Sequence, residues 1–276
     1  MKKEYKQKIS ELKWVDEIYL EYDLAFGTDI DNALGCNLLE EITSGLWSIN
    51  YFNDFTSIYR AKKTGNAMIG VDMAFTKNVR TFDNHITKYS KATVNMNKIK
   101  GIGLHNYCEK YPFSTVMLIM AYYDVPLPKT QVGKEILLAI DSAHKGFYTP
   151  NKRFKQIYIN WLEDMGYTSL IDILNQRNLK YFYSIQEQYG LNDKITIDEQ
   201  GYLHSKIDFQ AIQPHFDFKI GLPAKQFHHI KTFKTDAHKI GEKPIPSKDK
   251  LISLAYTYKN WVCYTYKNDD EAGAVE

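Results

Sequence analysis

Cysteine is scarce in these 276 residues: Cys36, Cys108 and Cys263 stand far apart and are odd in number. That argues against a disulfide framework or a cysteine-built zinc site and fits reduced thiols in a cytoplasm. No apolar run reaches the roughly 18 to 20 residues that span a bilayer. The first residues, Met1 to Lys13, are charged and lack the apolar core of a signal peptide. Both absences point to a cytoplasmic protein without a membrane partner. Glycine and proline are sparse, at 15 and 8, and no internal repeat or low-complexity segment is visible. A net charge of +2 gives no broad field for nucleic acid, so any basic surface is local.

What is present is ordinary for a globular chain, with 44% apolar and 25% charged residues. The length suits two domains or one large one. Tyrosine and phenylalanine are plentiful, at 21 and 14.

The most informative stretch is Gly27-Thr28-Asp29-Ile30-Asp31-Asn32-Ala33-Leu34-Gly35. It follows Ile18 to Phe26, which reads as a buried strand, and runs into an apolar helix. Two aspartates therefore stand at the carboxyl end of a strand, where an open α/β sheet places its ligands. Anions held that close call for a cation between them, and a divalent metal is the usual one. The other reading is that Asp29 or Asp31 caps the helix, a role aspartate fills well.

Further along, Leu46 to Phe52 alternates as a strand does, and Asp54 to Lys63 is a short amphipathic crossing. Asn66 to Asp72 is another apolar strand ending in an aspartate, and Val79 to His85 ends in Asp83-Asn84-His85. Short apolar strands alternating with helices predict a parallel sheet covered on both faces. In such a sheet Asp29, Asp31, Asp72, Asp83 and His85 share one edge. Thr93 to Gly103 reads as a loop, and Ser114 is placed to cap a buried helix over 116–120. A helix over Thr130 to Ile140 delivers Asp141-Ser142-Ala143-His144, with His144 near enough to reach back toward the site. Helical patterns continue over 154–165 and 170–189.

Beyond Gly190 the texture changes. A hairpin is expected over 195–207, with β alternation over 216–220 and 251–266. The expected organisation is a domain over 1–175, a connecting helix over 176–190 and a smaller α+β domain over 191–276, with an acidic, frayed end from Asn268.

The order Asp-x-Asp-x-Ala-x-Gly at 29–35, Val71-Asp72, Phe82-Asp83-Asn84-His85 and Ile140-Asp141-Ser142 resembles the DHH phosphoesterase superfamily. That group includes RecJ-type exonucleases, oligonucleotide phosphodiesterases and family II pyrophosphatases. The resemblance covers about residues 15 to 165. It implies a DHH-like parallel-sheet domain with a two-metal site, usually manganese, facing a smaller substrate-binding domain across a cleft. Position by position it makes Asp29, Asp31, Asp72 and Asp141 metal ligands. It makes His85 the histidine beside the scissile phosphate, and Asp83 its support. The implied activity is hydrolysis of a short oligonucleotide, nucleotide or other small phosphate ester; the alternative is an inactive relative that binds nucleotide, nucleic acid or a protein.

The sequence departs from the family in three places. The histidine expected shortly before the first aspartate is replaced by Gly27 or Ala25, and the first histidine of the signature is Asn84. Asn84 offers an oxygen, which would suit Mg2+ over Mn2+. The glycine-rich histidine loop of the second domain is missing, Phe227-His228-His229 being the nearest feature. His228, His229 and His238 suggest zinc only weakly, since no cysteines accompany them and adjacent histidines suit a surface turn. The lysines and aromatics of 219–250 could line a groove for single-stranded nucleic acid or form a solvated face. The tyrosines of 256–266 read as strand core and edge.

Overall fold

The computed structural model describes residues 1–141 and 143–267; Ser142 and the acidic end 268–276 lie outside the described residues. The chain opens with helix α1 (Lys3–Ser10) and reaches strand β1 (Tyr22–Phe26), helix α2 (Ile30–Ile42), β2 (Trp47–Asn53) and β3 (Ser57–Arg60). Next come β4 (Met68–Val71), β5 (Arg80–Phe82), β6 (Thr93–Val94) and the short α3 (Met96–Ile99). A helical block follows: α4 (Thr115–Tyr122), α5 (Gln131–Ala139), α6 (Lys152–Met165), α7 (Ser169–Gln176) and α8 (Leu179–Tyr189). The last part holds β7 (Thr196–Ile197), β8 (Leu203–His204), α9 (Phe209–Ile212), β9 (His228–Thr232), β10 (Lys234–Lys239), β11 (Leu251–Tyr258) and β12 (Trp261–Tyr266).

The protein is α/β, built on a seven-stranded, mostly parallel sheet in the order β6-β5-β4-β1-β2-β3-β9. Strands β6, β5, β4, β1 and β2 run parallel, while β3 and β9 are antiparallel additions at one edge. All five residues of β1 are buried, as a central parallel strand requires. Its one charged residue, Asp23, accepts hydrogen bonds from Asn50 Nδ2 at 2.7 Å and Thr64 Oγ1 at 2.6 Å.

Strand order reverses at β1, which pairs with β2 on one side and β4 on the other. In open α/β sheets the crevice beyond the strand ends at such a reversal is where ligands sit. Ten of the thirteen residues of α2 are buried, and α4 is buried along its whole length. A helix apolar all round belongs inside, and α4 packs against α2 and β5. Gly35 lets α2 approach β4, since a Cβ there would stand 2.6 Å from Val71 Cγ1.

The later strands serve two sheets. β9 pairs with β3 and extends the large sheet, so the chain beyond 191 returns to the body formed by its first part. β10, β12 and β11 form a separate antiparallel sheet. Loops of the large sheet hold that small sheet in place. Leu254 N–H donates to Ala74 O at 2.9 Å, Thr76 N–H to Ile252 O at 2.8 Å, and Tyr256 N–H to Ile86 O at 2.9 Å. The small sheet therefore hangs over the carboxyl ends of β4 and β5.

Several sequence expectations change. β1 begins at Tyr22; Ile18, Tyr19 and Leu20 are exposed in the turn before it. The crossing at 54–63 contains β3, and the loop at 93–103 contains β6 and α3. The pattern at 170–189 is two helices, because Asn178 caps a new one by accepting from Tyr181 N–H at 2.9 Å. Residues 216–220 are not a strand, whereas the hairpin over 195–207 and strands over 251–266 are present. Among the described residues no helix is long and apolar enough to cross a membrane.

Candidate active site

The polar residues at the strand ends are placed by backbone geometry. Asp72 follows β4 directly and has φ +52, and its N–H donates to Phe82 O at 2.7 Å. Asp141, one residue beyond the cap of α5, has φ +54. Aspartate tolerates the left-handed region better than most residues, yet the conformation still costs of order 1 kcal/mol. Such strain gathers at functional sites.

Asp83, directly after β5, is fully buried. Its Oδ1 lies 2.8 Å from His85 Nδ1, and its Oδ2 accepts from Asn95 Nδ2 at 3.2 Å. Asn95 also donates to His85 O at 2.7 Å, so one side chain fixes both members of the pair. Asp72 Oδ1 accepts from Thr115 Oγ1 at 2.7 Å and stands 3.8 Å from His85 Nδ1. One ligand atom each from Asp72, Asp83 and His85 falls within 4.8 Å of the others, the only such group among the described residues. With Nδ1 committed to Asp83, Nε2 is the nitrogen through which His85 can meet a ligand.

The remaining expected ligands do different work. Asp29 is the N-cap of α2, accepting from Asn32 N–H at 3.2 Å, and its Oδ2 lies 3.7 Å from Lys194 Nζ. Asp31 gives both oxygens to the first turn of α4, accepting Thr115 N–H at 2.6 Å and Val116 N–H at 2.8 Å. Asn84 donates from its amide to Phe113 O at 2.9 Å and anchors the loop. Asp29, Asp31, Asn84 and Asp141 therefore do not join the close group around Asp72. A Cβ at Gly27 would meet the Asn32 amide, with Oδ1 at 1.8 Å, so a histidine there would require the Asn32 side chain to move.

His144 points elsewhere. It is fully buried, stacks on Phe182 with ring centroids 4.9 Å apart, and its Nδ1 lies 3.1 Å from Leu138 O. His228 and His229 are exposed on β9, and His238 is buried beside Tyr264.

The charges still act on one another. Burial pushes the Asp72 carboxyl up, and Asp29, Asp141 and Asp83 add to it against the opposing pull of His85, bringing it to about 7. Burial alone would lower His85, but Asp83 and Asp72 outweigh it and raise the imidazole to about 9, so it is cationic at neutral pH. Asp141 lies at the exposed surface, yet crowding by surrounding protein and then Asp29 lift it to about 6, against His85, Lys194 and Lys110. Burial, Asp72 and Asp141 raise Asp31, while the Val116 and Thr115 N–H groups pull it down.

Two lysines complete this balance, and sequence reading did not find either. Lys110 loses basicity through burial while Asp141, Asp72 and Asp83 pull it back. Lys194 stands opposite Asp29. Each is far in sequence from the aspartate motifs, and no spacing links them.

A cavity of about 540 Å³ opens on this group, lined by Asp72 and His85 together with residues of the small sheet. Phe55, from the turn between β2 and β3, forms part of the wall. No family model matches the chain, and neither a curated protein nor a solved structure does.

Proposed function

We propose that the chain is a metal-dependent phosphoester hydrolase acting on a small phosphate ester or short single-stranded oligonucleotide. The observation that carries this reading is the Asp72–Asp83–His85 group, at the carboxyl ends of β4 and β5 next to the strand reversal, with Asp72 and His85 open to a ligand-sized cavity. The motif order that resembles the DHH phosphoesterases supports it.

The donor set fits one divalent cation better than a pair. Asp72 is the carboxylate that would hold a single Mg2+ or Mn2+, since the charged His85 imidazole cannot ligate and Asp31 already gives both oxygens to α4. Asp72 would hold the cation, with Asp141 and Asp29 adding negative potential. A cation there supplies Lewis-acid polarisation of the phosphoryl oxygen. His85, held charged by Asp83, donates from Nε2 to a phosphate oxygen or to the leaving oxygen. Thr115 orients Asp72, and Asn95 keeps the Asp83–His85 pair rigid. Lys110 offsets charge that develops on the phosphate.

A second reading, a binding protein without turnover, is favoured by the commitment of Asp31 to α4. Calorimetry with Mg2+ and Mn2+, paired with hydrolysis of dinucleotides, oligonucleotides, aryl phosphates and pyrophosphate, separates the two. Turnover lost in Asp72→Ala supports the enzyme; no cation binding and no turnover on any ester sinks it.

A further inference from the structure

The side of the small sheet that faces the cavity is unusual for a β-sheet. Strand faces favour branched and aromatic side chains that pack on a neighbour. Here the register aligns Thr235, Thr265 and Ser253 in one row across the three strands. The next row along the same face is Ala237, Cys263 and Ala255. All six line the cavity. The opposite face of the same strands carries Leu254, Tyr256, Val262 and Tyr264, packed with Ile86 into a core of their own. Bulk is concentrated on the far face, although Tyr264 also borders the cavity.

Ser253 adds an independent sign of a ligand. Its side chain lies in a residue only 8% exposed, it lines the cavity, and its hydroxyl has no hydrogen-bond partner among the described residues. The hydroxyl faces the open cavity, where it is available to a ligand heteroatom as donor or acceptor. Thr265, by contrast, donates to Phe55 O at 3.2 Å and so holds the aromatic wall against the floor.

We infer that this floor binds the flat, uncharged heteroaromatic part of the ester, of which a nucleobase is the chemical type, and that it does not accept a second phosphate. The inference rests on the phosphoesterase reading only for the position of the phosphate, at Asp72 and His85. Three strands spaced ~4.8 Å apart, with like-facing residues ~7 Å apart along each, give a floor of roughly 10 by 7 Å, the footprint of a fused ring system. The cavity volume falls within the range of about 300–1,000 Å³ usual for small-molecule sites. Small side chains permit face-on contact, Phe55 offers an aromatic surface, and the Ser253 and Thr235 hydroxyls can donate to or accept from ring heteroatoms. Among the described residues no lysine or arginine lines the cavity, and the Asp236 carboxylate, in the row of Tyr264 and Leu254 on the other face, is paired with Lys243 at 2.8 Å. A second phosphate of a pyrophosphate or polyphosphate would meet no cationic side chain on this floor of Thr, Ser, Ala and Cys.

The test is direct binding of the four common ribonucleosides, without phosphate and without metal, to the full chain by calorimetry or ligand-observed NMR. Saturable binding of at least one is expected, with pyrophosphate failing to displace it. Ala255→Leu, which fills the floor, should weaken that binding about tenfold or more, a loss of roughly 1.4 kcal/mol. Ser253→Ala, which keeps the shape, should weaken it about fivefold, the worth of one hydrogen bond. Circular dichroism of both variants checks the fold. Binding of none of the nucleosides, unchanged affinity in folded Ala255→Leu, or displacement by pyrophosphate would overturn the inference. Nucleoside binding without ester hydrolysis would leave the floor standing and remove the phosphoesterase reading; hydrolysis without nucleoside binding would do the reverse.

Discussion

Asp31, in the first turn of α2, receives the backbone N–H of Val116, in the first turn of α4, at 2.8 Å. With Thr115 N–H at 2.6 Å, the pair fastens two buried helices through a carboxylate at a helix N-terminus. An anion in that position satisfies donors that no intrahelical carbonyl can reach.

Asp31→Ala should therefore lower unfolding stability by roughly 3 kcal/mol, since it removes two charge-assisted hydrogen bonds and leaves buried donors unpaired. Asp31→Asn should fall between the two, because an amide oxygen can still accept. Denaturant unfolding with an unchanged m-value checks both. A loss near zero in Asp31→Ala would mean that α4 is capped some other way.

Asp72→Asn separates function from fold. The side chain keeps its size and an oxygen for Thr115 Oγ1, but it removes one anion from a crowd that includes Asp29, Asp141 and Asp83. Turnover on the best ester should fall about a hundredfold or more, roughly 2.7 kcal/mol of barrier, with calorimetric cation binding lost. The melting temperature should hold or rise, as relief of like-charge repulsion in a functional site often stabilises.

His144 predicts a pH dependence of stability. Burial, opposed by its contact with Leu138 O, lowers its pKa from the usual 6.5 to about 4, and Nε2 has no hydrogen-bond partner among the described residues. Between those values the unfolded chain binds the proton and the folded chain does not. Its contribution is therefore fully present above pH 6.5 and is lost as pH falls toward 4, to a limit of about 3 kcal/mol. His144→Phe should flatten that part of the profile. Urea unfolding at several pH values in this window, wild type beside variant, gives the comparison; parallel profiles would refute it.

Gly133 sets two effects against each other. Within α5, alanine would improve helix propensity by about 1 kcal/mol. A Cβ there, however, would stand 2.5 Å from His215 O and 2.6 Å from Pro128 Cβ. The first neighbour is backbone and cannot rotate away, and overpacking of this kind costs about 1–3 kcal/mol. Gly133→Ala should be net destabilising in thermal unfolding, and a raised melting temperature would contradict the close approach.

Much of the scaffold was legible. The strands at 47–53, 68–71 and 80–82 and the Ser114-capped helix announce themselves through short apolar runs and a cap residue, signals carried by neighbours in sequence. Asp29 proved to be the helix cap that its position allowed, with Asn32 N–H as its donor. The Asp83–His85 pair was legible as a unit because only one residue separates them. Lys110 and Lys194 were not, since nothing local marks a lysine that will face a distant carboxylate. Nor was the place of β9, because an edge strand carries no mark of which sheet it will extend.

The sequence by itself determined that this is an α/β chain with polar side chains at its strand ends, because strand and helix periodicities and caps are set by adjacent residues. Only the tertiary structure decided what those carboxylates do. Asp31 is drawn to the end of α4 because the two helices pack together, while Asp72 meets His85 because β4 and β5 are neighbours in the sheet. Two aspartates of one motif, one residue apart from each other along the chain, thus acquire different partners: Asp29 caps its own helix and Asp31 another's. The floor opposite Asp72 likewise exists only because loops after β4 and β5 hydrogen-bond to a strand some 180 residues later, a contact long in sequence and short in space.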